Sequence, residues 1–195
     1  MKSMIRFVIT GNPGVGKHTI AKFVIDKMKG AKVIDINTVA ISNNAILRKD
    51  DKYGIDIDVK KTSKLMADNL KTSEDLVIVG HLAPYVLNPA TIDLVTVLRR
   101  SPYELTKTFK QRKYTPDKIK ENVASEILGV SLYDTLKTFG KRKITEIDTT
   151  AKMPEHIADE IILLLQKKKR KQVVGIVDWL SLIYERGDIK KFLEY

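Results

Sequence analysis

Short apolar runs alternate along this chain with longer stretches in which apolar residues recur at helical spacing. Five of the runs are rich in valine, isoleucine and leucine, as strands buried on both faces of a sheet are. They predict strands at Ile5–Thr10, Lys32–Ile36, Leu76–Val79, Ile92–Leu98 and Lys143–Ile147. Because strands that alternate with helices are typical of α/β proteins, we expect a five-stranded, mainly parallel sheet with helices on both faces.

The helical stretches carry start and stop signals. The first helix places Ile20, Val24 and Met28 on one face and stops at Gly30. Later helix starts are predicted at Ser101–Glu104, which has the pattern of a capping box, at Thr115–Pro116 and at Pro154. The apolar spacing after Thr115 predicts one helix that continues to about Phe139.

Two charged segments are predicted to be mobile. Arg48–Gly54 contains a glycine and is expected to form a turn between helical stretches, and Lys110–Tyr114 joins two capped helices. The second junction carries Arg112, whose planar guanidinium makes it a candidate to clamp an anion such as a phosphate; the alternative is an exposed surface arginine.

A glycine-containing run, Gly11-Asn12-Pro13-Gly14-Val15-Gly16-Lys17, lies between the first strand and the first helix. Glycines let successive backbone N–H groups converge on phosphate oxygens, and the helix N-terminus adds positive potential. Lys17 can reach the β- and γ-phosphates. This run predicts a phosphate-binding loop, the fold of a P-loop nucleoside triphosphatase and a nucleoside triphosphate as ligand.

The residue after Lys17 departs from the usual loop. A hydroxyl that ligates Mg²⁺ is standard there, whereas this chain has His18 first and Thr19 second. Imidazole is a poor ligand for a hard cation, so Thr19 or water is expected to position the metal. His18 is then either a partly exposed side chain of the first helical turn or a direct contact of the metal or phosphate.

Composition limits the class of protein. The 195 residues suit one domain, and no apolar run is long enough to cross a membrane. The N-terminus leads directly into a strand without a signal peptide, which predicts a cytoplasmic protein. Zero cysteines exclude disulfides and thiolate metal sites. The net charge of +11 predicts attraction to polyanions.

Several segments, in this order, resemble the atypical adenylate kinases of the isoenzyme 6 type, in an archaeal-like form. Besides the glycine-containing loop, they are Val77–Val79 with His81, Val97–Arg99, Gln111–Tyr114, and Asn122–Val123 with Glu126–Ile127. The resemblance covers roughly residues 4 to 165. It implies a nucleoside monophosphate kinase domain over residues 1–165, with the monophosphate-binding region at about 37–60 and a lid at about 111–121.

The resemblance also implies roles for individual residues. The ATP-phosphate binders are Gly14, Val15, Gly16, Lys17, His18, Thr19 and the lid arginine, Arg112. Asn37 and Thr38 fall in the monophosphate-binding region, and the guanidinium of Arg99 is a second candidate clamp for substrate. His81 is either a catalytic group that orients water or acceptor, or a strand-end histidine satisfied by the backbone.

The acidic residue that the family usually has two positions before this histidine is missing, because the strand ends Val79-Gly80-His81. The remaining carboxylates, Asp35 and Asp93, lie in or beside other strands. We therefore expect Mg²⁺ to be brought by the nucleotide, with Thr19 as its protein ligand.

The C-terminal part, residues 166–195, lies beyond the resemblance. Its basic run Lys167–Lys171 is either the solvated end of a helix or a contact for ribosomal RNA or a ribosomal protein. The following apolar residues, among them Trp179 and Ile183, recur at helical spacing. They predict a helix packed on the same domain, or else one that binds a partner.

Together with the phosphate-binding loop, the resemblance therefore implies an ATP:AMP phosphotransferase with ATPase activity and a role in small ribosomal subunit biogenesis. Two alternatives stay open: an ATP-switched assembly or RNA-binding factor with little kinase turnover, and a different P-loop small-molecule kinase. Base preference depends on the shape of a pocket, which the sequence does not give.

Overall fold

The five predicted strands form one parallel sheet in a computed structural model that describes residues 4–50, 54–166 and 173–193. The strands are β1 (Arg6–Thr10), β2 (Lys32–Asp35), β5 (Leu76–Val79), β6 (Leu94–Arg99) and β7 (Ile144–Asp148). Their order in the sheet is β2-β5-β1-β6-β7, and every neighbouring pair is parallel. Because β1 is central, the loop after it lies in the middle of the sheet's carboxyl edge.

Helices cover both faces of this sheet. They are α1 (Lys17–Lys27), α2 (Ile36–Ser42), α3 (Val59–Asn69), α4 (Ala83–Val86), α5 (Pro102–Gln111), α6 (Pro116–Ile127), α7 (Val130–Phe139), α8 (Pro154–Gln166), α9 (Trp179–Glu185) and α10 (Ile189–Leu193). In β1, β5, β6 and β7, apolar residues on opposite faces of the strand enter two separate cores, as the pleat requires, whereas β2 at the edge of the sheet is partly exposed. Phe7 and Ile9 of β1 pack with α1, α5, α6 and α8, while Val8 packs with α2, α3, α4 and α7. The predicted three-layer α/β/α fold is confirmed.

The C-terminal helices lie on the first of these cores. Trp179 and Ile183 of α9 and Phe192 of α10 are buried there. The basic run Lys167–Lys171 lies outside the described residues.

The prediction that Arg48–Gly54 is a turn between helical stretches was wrong. The chain forms an antiparallel hairpin from β3 (Ile46–Asp50) and β4 (Gly54–Ile57), with an irregular register between Ile46 and Arg48. The strands are short and charged, so they lack the apolar run that marked the central strands.

Two helix predictions also need correction. The single helix expected up to Phe139 is two, because Gly129 has a φ of 67° and turns the chain between α6 and α7. Ser101 makes no side-chain capping bond; the carboxylate of Glu104 accepts instead from Arg100 Nε and the Ala151 N–H. Thr115 does cap α6, accepting from the Lys118 N–H.

Within the described ranges, no helix has the length and apolar character needed to cross a membrane.

Candidate active site

The loop between β1 and α1 approaches its neighbours so closely that two of its glycines cannot carry a side chain. Gly11 has a φ of +135°, and a Cβ there would lie 2.4 Å from the carbonyl oxygen of Leu98. At Gly14, with a φ of +84°, a Cβ would lie 2.9 Å from Leu105 Cδ2. No side chain caps the start of α1, so the first-turn N–H groups face the loop. This geometry suits an anion.

Lys17 is buried at the start of α1. Its Nζ donates to the backbone oxygens of Gly11 and Asn12, each at 2.9 Å. Burial, assisted by the positive charge of Arg112, lowers the pKa of Lys17 to about 8, while Glu126 and Asp35 oppose that shift. The ammonium is therefore held inside the loop at the position from which a phosphate would be contacted.

Two side chains that the sequence analysis did not assign support the loop. Thr149, after β7, donates from Oγ1 to the Val15 oxygen at 3.2 Å. Arg100, after β6, donates from Nη1 to the Gly14 oxygen at 3.3 Å and from Nε to Glu104 at 2.8 Å. The sequence signal that could have identified them is their position directly after predicted parallel strands, because the carboxyl ends of parallel strands meet at the edge of the sheet where the phosphate loop lies.

His18 faces Asp35, the last residue of β2. Their Nε2 and Oδ2 atoms lie 2.6 Å apart. Burial opposes ionisation of Asp35, but hydrogen bonds from the Thr38 N–H and from His18 hold the pKa of this carboxyl below its usual value. Asp93 bonds the N–H of Arg6 at the opposite, amino edge. Of the two carboxylates considered from the sequence, Asp35 is therefore the one beside the phosphate loop.

A cleft of about 490 Å³ opens in front of the loop. It collects six of the residues predicted to act in the site: Gly14, Lys17, His18, Asn37, His81 and Arg112. Thr19 and Thr38 do not line it, and both are exposed. The roles of Thr19 as metal ligand and of Thr38 as monophosphate contact stay predictions, and the side chain at the start of α1 that lines the cleft beside Lys17 is that of His18.

A second cleft, of about 630 Å³, continues from the first. It lies between α2 and the β3–β4 hairpin, and it shares Asn37, Ile55 and His81 with the first cleft. Its other lining residues are Ile41, Leu47, Asp56, Ile57 and Leu82. The Oδ1 atom of Asn37 is buried without a hydrogen-bond partner among the described residues. An apolar space with an unpaired acceptor suits a base that carries an amino group.

His81 lies between the two clefts, directly after Gly80 at the end of β5. Burial, together with the positive charge of Lys17, lowers the pKa of His81 to about 4. The imidazole is therefore neutral at pH 7, so it can accept or donate one hydrogen bond at the junction of the clefts.

Arg99 is not available to bind substrate, which corrects the prediction from the sequence. It is 3% exposed, and its guanidinium donates to Glu126 Oε1 at 2.8 Å and to Glu146 Oε1 at 2.6 Å. A guanidinium held by two buried carboxylates cannot reach a nucleotide without leaving both charges unpaired.

Arg112 lies at the end of α5, in the short junction that leads to α6, and it lines the first cleft. The junction is fixed by a stacked pair, Phe109 and Tyr114, whose ring centroids are 5.2 Å apart. Lys118 lies 4.9 Å from the centroid of the Tyr114 ring. Arg112 itself is exposed at the rim of this cleft.

Among the described residues, no group of three or more acidic or histidine side chains could hold a metal ion. Both oxygens of Asp35 are engaged, Oδ1 with the Thr38 N–H and Oδ2 with His18. One carboxylate of this kind fits a cation that arrives with phosphate oxygens and water as its other ligands.

Residues 8–129 match the family model of an AAA domain. A protein of Methanocaldococcus jannaschii named "Putative adenylate kinase" is 36% identical over 182 residues, which cover 93% of this chain and 96% of that protein. A protein of the same name from Methanococcus maripaludis is 37% identical, covering 89% and 94% of the two chains.

A solved structure, the shikimate kinase of Bacteroides thetaiotaomicron, superposes with a TM-score of 0.58. It is 14% identical, and the match covers 85% of this chain and all of that one. This likeness concerns the fold. The sequence relatives place the chain with nucleotide kinases.

Proposed function

Because this chain belongs to the archaeal adenylate kinase-like family of P-loop proteins, we propose that it transfers the γ-phosphoryl group of ATP to AMP. The observation that carries the proposal is the continuity of the two clefts, which share Asn37, Ile55 and His81. One cleft begins at the phosphate loop and the other ends at the hairpin. A donor and an acceptor nucleotide can therefore meet beside Lys17.

The donor half consists of the loop and Lys17. The N–H groups at the start of α1 take the β-phosphate, and Lys17 exchanges its bonds to Gly11 and Asn12 for phosphate oxygens. The exchange is favourable because a buried ammonium bonds a charged oxygen more strongly than a neutral carbonyl. Val15 and Gly16 contribute their backbone to this half.

The acceptor half is the second cleft. Ile41, Leu47 and Ile55 pack on the base, and Asn37 accepts a hydrogen bond from its amino group. This arrangement favours AMP over a nucleotide whose base presents only a carbonyl at that position. Phosphoryl transfer requires mainly alignment of the reactants and stabilisation of the charge on the transferring group. Arg112 supplies the charge stabilisation when its guanidinium reaches into the cleft.

Mg²⁺ bound with ATP would neutralise phosphate charge, and Asp35 is the residue beside the loop that would hold its water ligands. The monophosphate end of AMP then lies next to His81, whose neutral imidazole orients the attacking oxygen.

The experiment is a coupled assay of the purified protein with ATP or GTP as donor and AMP, CMP, UMP or GMP as acceptor. We expect turnover with ATP and AMP that exceeds turnover with UMP and GMP. Rates independent of any monophosphate would contradict the proposal.

A second function is favoured by the net charge of +11, which exceeds what a nucleotide site needs. We propose an accompanying ATPase activity used in small ribosomal subunit assembly, as the isoenzyme 6 resemblance implies, with ribosomal RNA or a small-subunit ribosomal protein as partner. In this reaction His81 orients water instead of AMP. Stimulation of ATP hydrolysis by ribosomal RNA would support this second function, and a hydrolysis rate that RNA does not change would count against it.

A further inference from the structure

The buried carboxylate of Glu126, on α6, connects three distant parts of the chain. Its Oε2 accepts from Asn12 Nδ2 at 2.7 Å. Its Oε1 accepts from Arg99 Nε at 2.8 Å and from Trp179 Nε1 at 3.0 Å. Asn12 belongs to the phosphate loop, and Trp179 begins α9. A side chain that is 0% exposed thus links the loop to the C-terminal segment 173–193.

Asn12 in turn holds Lys17. The backbone oxygen of Asn12 accepts from Lys17 Nζ at 2.9 Å. Its side-chain oxygen accepts from Ser125 Oγ at 3.1 Å, so α6 fixes both ends of the Asn12 amide. The series Trp179, Glu126, Asn12 and Lys17 is therefore joined by hydrogen bonds at every step.

The C-terminal segment has a second connection to the same cluster. Glu146 of β7 accepts from Arg99 Nη1 at 2.6 Å with one oxygen. With the other it accepts from the N–H groups of Gly175 and Ile176, at 2.5 and 2.9 Å. Two buried carboxylates, one bonded to the loop and the other to the C-terminal segment, therefore share one guanidinium.

We propose that Glu126 and Trp179 are positioning residues of the phosphate loop, through which the C-terminal segment fixes the location of Lys17. The inference rests on the proposed function in that Lys17 is taken to contact phosphate. Neither residue lines the clefts at the loop, so they act through Asn12 and not on the nucleotide.

The first test replaces the indole donor. Trp179→Phe removes the N–H and keeps an aromatic ring, and Tyr184→Phe, on the same helix but 74% exposed, is the matched control. We expect kcat for phosphoryl transfer to fall roughly tenfold in Trp179→Phe, with KM for AMP unchanged. The reason is that a small displacement of Lys17 from its position at the transferring group lowers the rate. A lower melting temperature with unchanged kcat would overturn the proposal.

The second test is Glu126→Gln, which keeps the shape of the side chain but replaces one acceptor oxygen by an amino group. We expect kcat to fall with KM for AMP unchanged, whereas Asp159→Asn, which removes an exposed carboxylate on α8, should leave kcat unchanged. An unchanged kcat in Glu126→Gln would overturn the proposal.

If Glu126→Gln does not fold, the pair Asn12→Ala and Trp179→Phe carries the test. Both side chains bond Glu126, through different oxygens. Their combined loss of kcat should therefore be smaller than the product of the single losses. Fully multiplicative losses would mean that the residues act independently, which overturns the proposal.

Calorimetric titration with Mg-ATP separates this inference from the proposed function. A wild type that binds ATP but phosphorylates no acceptor contradicts the proposed function. In that case weaker ATP binding by Trp179→Phe than by Tyr184→Phe still supports the positioning role, and equal binding overturns it.

Discussion

His18 Nε2 lies 2.6 Å from Oδ2 of Asp35, so the residue after the loop lysine is bonded to the carboxylate at the end of the edge strand β2. In the usual loop a hydroxyl at this position ligates Mg²⁺ directly. Here the position that would face the cation holds an imidazole, and the imidazole engages the acidic residue beside the loop.

Replacing His18 should therefore change the metal requirement. His18→Thr restores the hydroxyl and releases Oδ2 of Asp35, so the Mg²⁺ concentration for half-maximal activity should fall. Thr19→Val is the comparison, and it should leave that concentration unchanged because Thr19 lies outside the cleft. A larger effect at Thr19 than at His18 would place the metal ligand where the sequence alone predicted it.

The pH dependence should follow Lys17. Its pKa of about 8 means that the ammonium is lost as pH rises through that value, so kcat/KM should fall on the alkaline side of about pH 8. His81, with a pKa of about 4, is neutral at all higher pH and should add no acidic limb there. A profile that stays flat well above pH 8 would contradict the role of Lys17.

Arg112→Ala should lower turnover more than it weakens ATP binding, because the exposed guanidinium acts mainly when it turns over the transferring group. Lys107→Ala, which removes an exposed cation from α5 away from the cleft, is the control. Steady-state kinetics measure the loss of turnover, and a direct binding measurement gives the loss of ATP affinity. Equal losses in turnover and in affinity would indicate simple ground-state binding.

Neutralising the basic run Lys167–Lys171 should leave AMP phosphorylation intact and weaken binding to ribosomal RNA. The slope of log affinity against log salt should fall by about 0.7 to 0.9 for each RNA phosphate that the protein no longer neutralises. Filter binding across a range of salt concentrations measures this slope. An unchanged slope would indicate a solvated helix end, and a loss of kinase activity would indicate that the run packs near the catalytic site.

The parts of the fold that the sequence predicted are those encoded locally. Apolar runs mark the five strands, although the edge strand β2 is partly exposed and not buried on both faces as predicted, and two glycines of the loop are required by close contacts such as that of Gly11 with Leu98. The β3–β4 hairpin escaped prediction because its strands are short, exposed on part of their length and charged. Gly129 interrupts a helix whose apolar spacing continues on both sides.

The site could be predicted only in part, because some of its side chains are placed by distant residues. Arg99 ends a strand at the correct edge, as a substrate clamp would, yet its carboxylate partners are 27 and 47 residues away along the chain. The neighbouring residues in the sequence do not indicate which of the adjacent arginines, Arg99 or Arg100, is buried. Arg100, the next residue along the chain, is only half-buried and bonds the loop at Gly14.

The most direct test of the central claim follows the γ-phosphoryl group itself. The purified protein is incubated with γ-labelled ATP and Mg²⁺, with and without AMP, and the products are separated. We predict that AMP diverts the label into ADP and that Lys17→Ala lowers this transfer on the order of 10² to 10³-fold. Label that appears only as inorganic phosphate, at the same rate with and without AMP, would contradict a phosphoryl transfer between two nucleotides in the joined clefts.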